Sequence, residues 1–181
     1  IDQLPHHIVC MHLFGHMLRI PVPDVNRTQH MLIIGGNPLA SNGSIMTAPN
    51  MRQKIKDIKA RNGKVVVIDP RRTETAELSS EHHFIRPATD VLLLLAMLNE
   101  IYAQGFDKLN NRERFAKGFT AESVAGITGI SATEIKRLVK EYCEADSAVM
   151  YGRMGVSVQE FGLLCQYLIM VMNIVTGRLD E

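Results

Sequence analysis

The stretch Lys64-Val65-Val66-Val67-Ile68-Asp69-Pro70-Arg71-Arg72 indicates the fold class of the chain. Its four consecutive β-branched residues predict a strand buried on both faces, because such a strand has no alternation of apolar and polar residues. Just before it, residues 51–62 place apolar side chains on one helical face among basic ones, and Gly63 follows as the expected helix end. A helix that leads into a doubly buried strand is typical of a parallel sheet covered by helices.

Short apolar runs bounded by turn residues continue this alternation along the chain. They predict strands at residues 31–34, 65–68, 83–85 and 147–151. Helical patterns lie at residues 51–62, 73–78, 90–104, 108–117, 131–144 and 159–176, and residues 37–50 form a predicted loop with at most one helical turn. The order of these elements predicts an α/β domain with a mostly parallel sheet.

The composition excludes several classes of protein. With 181 residues, 46% of them hydrophobic and 22% charged, the chain has the balance of a globular protein and not of a disordered one. A net charge of +1 provides no field that would attract nucleic acid or an anionic membrane. The apolar stretches 91–98 and 161–175 are too short to span a bilayer. We therefore expect no nucleic-acid partner and no membrane span.

The cysteines and the first residue bear on compartment and completeness. Cys10, Cys143 and Cys165 have no paired spacing, which excludes a disulfide framework and an iron–sulfur or structural zinc site built from them alone. We expect a reducing, cytoplasmic compartment in a bacterium or archaeon, with a periplasmic parent protein left open. The chain starts at Ile1 without a signal-peptide pattern, so a processed or truncated chain is one expectation.

Polar residues and glycines follow three of the predicted strands, where parallel sheets bind ligands. The three segments are Gly35-Gly36-Asn37-Pro38, Asp69-Pro70-Arg71-Arg72 and Pro87-Ala88-Thr89-Asp90. A carboxylate at a strand end suits ribose hydroxyls, and one with two free oxygens suits the parallel N–H donors of guanine. Taken singly, each segment also has a plain structural interpretation as a turn, a helix cap or a pair of solvated arginines. The glycine-rich dinucleotide fingerprint and the P-loop pattern are both absent.

These segments, in this order, resemble a known family. The runs Leu32 to Pro38, Lys64 to Ala76 and Ile85 to Asp90 carry the resemblance, which continues through 118–122, 128–131 and 151–157. From about Asp24 onward the chain resembles the molybdopterin oxidoreductases, the superfamily of formate dehydrogenase, nitrate reductase and dimethyl sulfoxide reductase. The resemblance implies a three-layer, Rossmann-like α/β domain at residues 24–181, a dinucleotide cradle, preceded by an irregular or helical segment at 1–23.

The resemblance also implies a cofactor and residues that hold it. In that family a molybdenum or tungsten ion is bound by two pyranopterin guanine dinucleotides, as bis-molybdopterin guanine dinucleotide, and this domain cradles one of them. The matching positions fall into a phosphate and ribose loop, a guanosine loop, a guanine-binding carboxylate and a glycine-rich loop toward the pterin. In that order they are Gly35, Asn37 and Pro38; Asp69 and Arg71; Asp90; and Gly152, Met154 and Gly155.

The chain departs from the family pattern at a few positions and lacks other parts of it. Ala88 replaces a glycine, Arg153 stands where glycine or tryptophan is common, and Gln159 lies one residue late, which weakens an assignment as formate dehydrogenase. The four-cysteine segment for a 4Fe–4S cluster and the metal-ligating residue have no match here. We therefore expect no catalytic residue and no metal ligand in this chain, and a single domain over 1–181 that is inactive without its parent.

Several alternatives and partners follow from the same sequence. The chain is either a cofactor-binding fragment of an oxidoreductase, a free-standing purine-nucleotide-binding module, or a non-catalytic interaction subunit that keeps the fold. Expected partners are the rest of the parent polypeptide, an electron-transfer subunit, and further copies through apolar surface on segments 5–18 and 159–176. A less favoured hypothesis is a zinc site at the N-terminal histidines and cysteine, which are His6, His7, Cys10, His12 and His16.

Overall fold

A parallel sheet forms the centre of the computed structural model, which describes residues 2–109 and 116–179. Its strands are β1 His30–Ile34, β2 Lys64–Ile68, β3 Glu81–His83 and β4 Ala148–Gly152. They lie in the order β3-β2-β1-β4, and every pairing between them is parallel. The sequence-based prediction of an α/β fold with a mostly parallel sheet is thus confirmed.

Helices cover both faces of this sheet. They are α1 Leu4–Phe14, α2 Pro38–Ser41, α3 Met51–Ala60, α4 Glu74–Leu78, α5 Asp90–Ala103, α6 Ala121–Thr128, α7 Ala132–Glu144, α8 Met154–Ser157 and α9 Gly162–Val175, with a 3-10 turn at Ser44–Met46. Leu32 and Ile34 of β1 pack into the core shared with α5, α6, α7 and α9. Met31 and Ile33 point to the opposite core, beneath α3 and α4. The alternation of one strand between two cores produces the three layers.

The predicted third strand was placed two residues too late. Residues 83–85 were expected, whereas β3 pairs Val66 with Glu81 and Ile68 with His83. Of the two apolar residues that suggested the later strand, Phe84 is 59% exposed, whereas Ile85 is buried but lies beyond the end of β3. The strand instead consists of polar residues at the edge of the sheet. Its first residue, Glu81, forms ion pairs with Lys64 and Arg137.

Other boundaries also differ from the sequence-based prediction. The helix expected at 159–176 is present as α9 and begins three residues later than predicted, after the short helix α8, which was not predicted. Helix α6 was not predicted, and most of the helix expected at 108–117 lies outside the described residues. At the end of α3 the left-handed residue is Asn62, with φ of 64°. Gly63 is required there for space, because an added Cβ would lie 2.6 Å from Gln29 O.

Some apolar side chains of the outer helices face solvent. They are Leu4 and Met11 on α1, Met154 on α8, and Leu163 and Leu164 on α9. Among the residues that the structure describes, every helix falls short of the length and apolar character needed to cross a membrane.

Candidate functional site

A cleft of about 500 Å³ opens at the carboxyl ends of β1, β2 and β4. From β1 the chain continues to β2 and β3 on one side and places β4 on the other, so the switch point of the sheet lies between β1 and β4. Open parallel sheets bind ligands at such a switch point. The residues predicted from sequence that line it are Gly35, Asn37, Asp69, Arg71, Met154 and Gly155. The structure therefore brings together six of the predicted positions from three separate loops.

Two glycines allow the loops after β1 and β4 to touch within this cleft. Gly35 has φ of 57°, and a Cβ added to it would lie 2.7 Å from Val156 N. A Cβ added to Gly155 would lie 2.8 Å from Gly35 Cα. The close approach permits a hydrogen bond of 2.8 Å from Gly155 N to Gly35 O. Any larger residue at either position would separate the two loops.

The polar residues of the β1 and β2 loops are partly occupied by one another. The Asn37 side chain donates to Glu74 Oε2 at 2.8 Å and accepts from Thr75 Oγ1 at 2.7 Å. Asp69 Oδ1 accepts from Arg71 N at 2.8 Å, and the Arg71 guanidinium lies 3.5 Å from Glu74 Oε2. Burial raises the pKa of Asp69 above its ordinary value, and the Arg71 N–H bond opposes the rise. Asn37 and Asp69 therefore make the local contacts that the plain structural interpretation predicts, and they make them while lining the cleft.

Asp90 lies outside the cleft lining but is connected to it by one side chain. It is the first residue of α5 and is only 5% exposed. Gln159 Nε2 donates to Asp90 Oδ2 at 3.0 Å and to Gly155 O at 3.2 Å, so a single amide joins Asp90 to the cleft loop. Burial raises the pKa of Asp90, an effect that the Gln159 hydrogen bond partly offsets.

Three further positions have structural surroundings of their own. Pro38 is buried at the start of α2. Gly152 faces α9, because an added Cβ would lie 2.3 Å from Ile169 Cδ1. Neither these two residues nor Asp90 lines the cleft. Ala88 has φ of 64°, a conformation that glycine adopts without strain, so the departure from the expected glycine is visible in the backbone.

Comparison with known proteins identifies relatives of this arrangement. No protein-family model matches the chain. Over 170 residues it is 27% identical to formate dehydrogenase H of Escherichia coli, an alignment covering 88% of this chain and 23% of that protein. It is 28% identical over 146 residues to the nitrate reductase of Klebsiella oxytoca, covering 77% and 16%. It is 26% identical over 193 residues to the arsenate respiratory reductase molybdopterin-containing subunit of Chrysiogenes arsenatis, covering 87% and 22%.

The chain is homologous to the molybdopterin oxidoreductases. Its fold is shared with acetylene hydratase from Pelobacter acetylenicus, with a TM-score of 0.76 and 22% identity over 88% of this chain and 23% of that one. The chain spans less than a quarter of the length of the three enzymes named above. The resemblance of its motifs to this family and the Rossmann-like fold that it implied are confirmed.

Several residues that line this cleft were not assigned to a site from the sequence. They are Asp2, Gly36, Ala40, Ser41, Ser44, Thr73 and Arg153. Arg153 had a usable signal, since it directly follows β4 and departs from the family pattern. Gln159 was noticed only as a displaced family residue, and its contact with Asp90 depends on how α8 and α5 pack. Asp2 had no signal, because it is distant in sequence from the motif loops.

Three of the N-terminal histidines contact separate parts of the chain. His6 Nε2 lies 3.3 Å from Gly152 O, His7 Nδ1 lies 3.0 Å from Met17 O, and His16 Nδ1 accepts from Leu18 N. In the described ranges 2–109 and 116–179, one group of three metal-ligand side chains is found, Glu81, His83 and Glu134. Arg137 forms ion pairs with both carboxylates of that group, which indicates a salt-bridge network.

Proposed function

We propose that this chain is the part of a molybdopterin-dependent oxidoreductase that holds the guanosine end of a molybdopterin guanine dinucleotide. Its homology to that family and the cleft at the switch point support the proposal. We extend it to a single domain over residues 1–181 that is inactive by itself. The bound cofactor supplies redox chemistry at its molybdenum or tungsten ion, and the metal ligand and a 4Fe–4S cluster belong to other parts of the parent.

The residues of the cleft fit the phosphate and ribose portion of such a cofactor. The facing glycines let a ligand approach the backbone, and the guanidinium groups of Arg71 and Arg153 offer paired donors that suit phosphate oxygens. The Asp69 carboxylate, half-buried at the end of β2, suits two ribose hydroxyls. In this proposal the residues bind and orient one end of the dinucleotide.

The observation that carries the proposal is the buried carboxylate of Asp90. Burial raises its pKa, so at neutral pH the folded chain keeps a charge that its surroundings disfavour. Carboxylates held in this way concentrate at functional sites. A guanine base offers two parallel N–H donors, which two carboxylate oxygens accept together. Gln159 now takes one of those oxygens, and in this proposal it gives way to the base.

The test compares nucleotides and two carboxylates. Calorimetric titration of the chain with guanosine and adenosine diphosphates should show a preference for guanine. Asp90→Ala should weaken guanosine diphosphate binding by about 30-fold or more, because two unpaired donors cost roughly 2 kcal/mol or more. Asp69→Ala should weaken both nucleotides by less. Asp90→Asn, which keeps size and one acceptor, should fall between the wild type and Asp90→Ala.

Equal binding of guanosine and adenosine nucleotides by the wild-type chain would refute the proposal. If Asp69→Ala lost more affinity for guanosine diphosphate than Asp90→Ala, guanine recognition would lie at Asp69, which contradicts the proposal. The free energy of unfolding of each variant is measured beside that of the wild type, because Asp90 also accepts a hydrogen bond from Gln159. A matched unfolding curve therefore separates lost binding from lost folding.

The partners and compartment are part of the same proposal. The exposed apolar residues of α1, α8 and α9 support packing against the rest of the parent polypeptide, or self-association of the isolated chain. An electron-transfer subunit is proposed as a partner of the parent. Cys10, Cys143 and Cys165 are all free thiols, which supports a reducing, cytoplasmic compartment.

A further inference from the structure

Arg153 occupies an unusual place in the cleft. It directly follows β4, its side chain is 12% exposed, and it lines the cleft together with Arg71. A Cβ added to Gly36 would lie 3.4 Å from Arg153 Cβ. The base of the arginine side chain therefore lies against the glycine turn after β1, at the switch point of the sheet.

The guanidinium of Arg153 is held by residues from two other segments. Its Nε donates to Ser44 Oγ at 2.9 Å, and Nη1 lies 3.0 Å from Asp2 Oδ2. Nη1 also lies 3.5 Å from Asp2 O. Asp2 precedes α1 and lines the same cleft, so a carboxylate of the chain itself contacts the Arg153 guanidinium within the candidate ligand site. A guanidinium has five donors in a planar fork, which bind a carboxylate or a phosphate in the same manner.

The charges of the cleft distinguish its two arginines. Arg71 is 69% exposed and lies 3.5 Å from Glu74, so solvent and salt screen its charge. The more enclosed Arg153 is screened less and offers the stronger attraction to an anion. Two carboxylates, Asp2 and Asp69, line the cleft together with the two guanidinium groups, so the formal charges of the lining cancel. A diphosphate that replaced Asp2 would restore this balance at Arg153.

We infer that Arg153 binds the diphosphate of the dinucleotide and that the Asp2 carboxylate holds its guanidinium in position until the phosphate displaces it. This inference rests on the proposed function and adds a phosphate-binding residue to it. It also couples the segment that leads into α1 to occupation of the cleft, because the phosphate and Asp2 compete for the same donors.

The test separates the phosphate contribution from the base contribution. Guanosine and guanosine diphosphate are titrated into the wild-type chain, Arg153→Met, Arg153→Lys, Asp2→Asn and the control Arg52→Met on the exposed face of α3. Arg153→Met should weaken guanosine diphosphate binding about 10- to 100-fold, the loss of a charged hydrogen-bonded contact, and guanosine binding less than about 3-fold. Arg153→Lys should fall between them, since it keeps the charge without the fork.

Asp2→Asn should change the affinity for guanosine diphosphate in the opposite direction. It should tighten guanosine diphosphate about 3- to 10-fold and leave guanosine unchanged, because the competing anion is gone. Arg52→Met should change neither ligand. An amide spectrum by NMR should show the residues before α1 shifting when the diphosphate binds to the wild type.

The outcomes separate this inference from the function on which it rests. An equal loss of guanosine and guanosine diphosphate in Arg153→Met would mean a structural role and overturn the inference, as would weaker diphosphate binding in Asp2→Asn. The inference alone is overturned if the wild-type chain prefers guanosine to adenosine and all Arg153 variants keep the wild-type difference in affinity between guanosine diphosphate and guanosine. A wild-type chain that binds neither guanine ligand overturns both.

Discussion

Asn173 of α9 is predicted to stabilise the free edge of β4. Its carboxamide accepts from Met150 N at 3.0 Å and from Tyr142 Oη at 2.9 Å through Oδ1. Its Nδ2 donates to Met150 O and to Ile169 O, each at 3.0 Å. The side chain is 7% exposed, so it supplies to Met150 the bonds that a further strand would make.

The replacement Asn173→Leu keeps the branched shape of the side chain, with methyl groups that are bulkier than the amide atoms, and removes all of these bonds. Met150 N–H and C=O then lose this partner while buried, and each such loss costs about 1–3 kcal/mol. The expected loss is about 2–6 kcal/mol, a large share of the roughly 5–15 kcal/mol that stabilise a domain of ordinary size. Tyr142→Phe removes one donor to the same Oδ1 and leaves the Met150 bonds, so its expected loss is only about 1 kcal/mol.

Urea unfolding followed by circular dichroism gives the measurement. A decrease of at least about 2 kcal/mol for Asn173→Leu, with unchanged dependence on urea concentration, is the expected result. If Asn173→Leu reduced the free energy of unfolding by less than Tyr142→Phe, the Asn173 carboxamide would not be the group that satisfies the hydrogen bonds of the strand edge, and the reasoning would be refuted.

Two further predictions concern pH and backbone space. Burial lowers the pKa of His6 and of His30 to about 4, from an ordinary 6.5, so the unfolded chain binds more protons between these values. The free energy of unfolding should therefore fall as pH decreases from 6.5 to 4, and His30→Leu should flatten the fall measured by urea midpoints at pH 7 and 4.5; an unchanged slope would contradict the assignment. Gly35→Ala should destabilise the chain because of its positive φ and the 2.7 Å approach to Val156 N. The control Gly126→Ala, in open space on α6, should stabilise by about 0.5–1 kcal/mol, and a similar effect of both replacements would speak against the loop contact.

The candidate site was predictable where it depends on residues that directly follow strands. Gly35, Asn37, Asp69 and Arg71 follow β1 and β2, and parallel strands necessarily bring their carboxyl ends to one edge. Asp90 was predicted as a ligand residue, and the structure joins it to the cleft through a hydrogen bond to Gln159. That contact could not be predicted, because Gln159 lies in the turn between α8 and α9, whereas residue 159 was expected to begin the last helix.

The sequence by itself determined the strands and helices whose causes are local. A run of β-branched residues makes β2, Ser131 accepts from Glu134 N to begin α7, and the left-handed residue after α5 is Gly105. Such features depend on side chains within a few positions of one another. Only the tertiary structure decided that Asp2 meets Arg153 across 151 positions and that Asn173 meets Met150 across 23. Those meetings follow from how α1 and α9 pack beside β4, and packing geometry is not written in any single stretch of sequence.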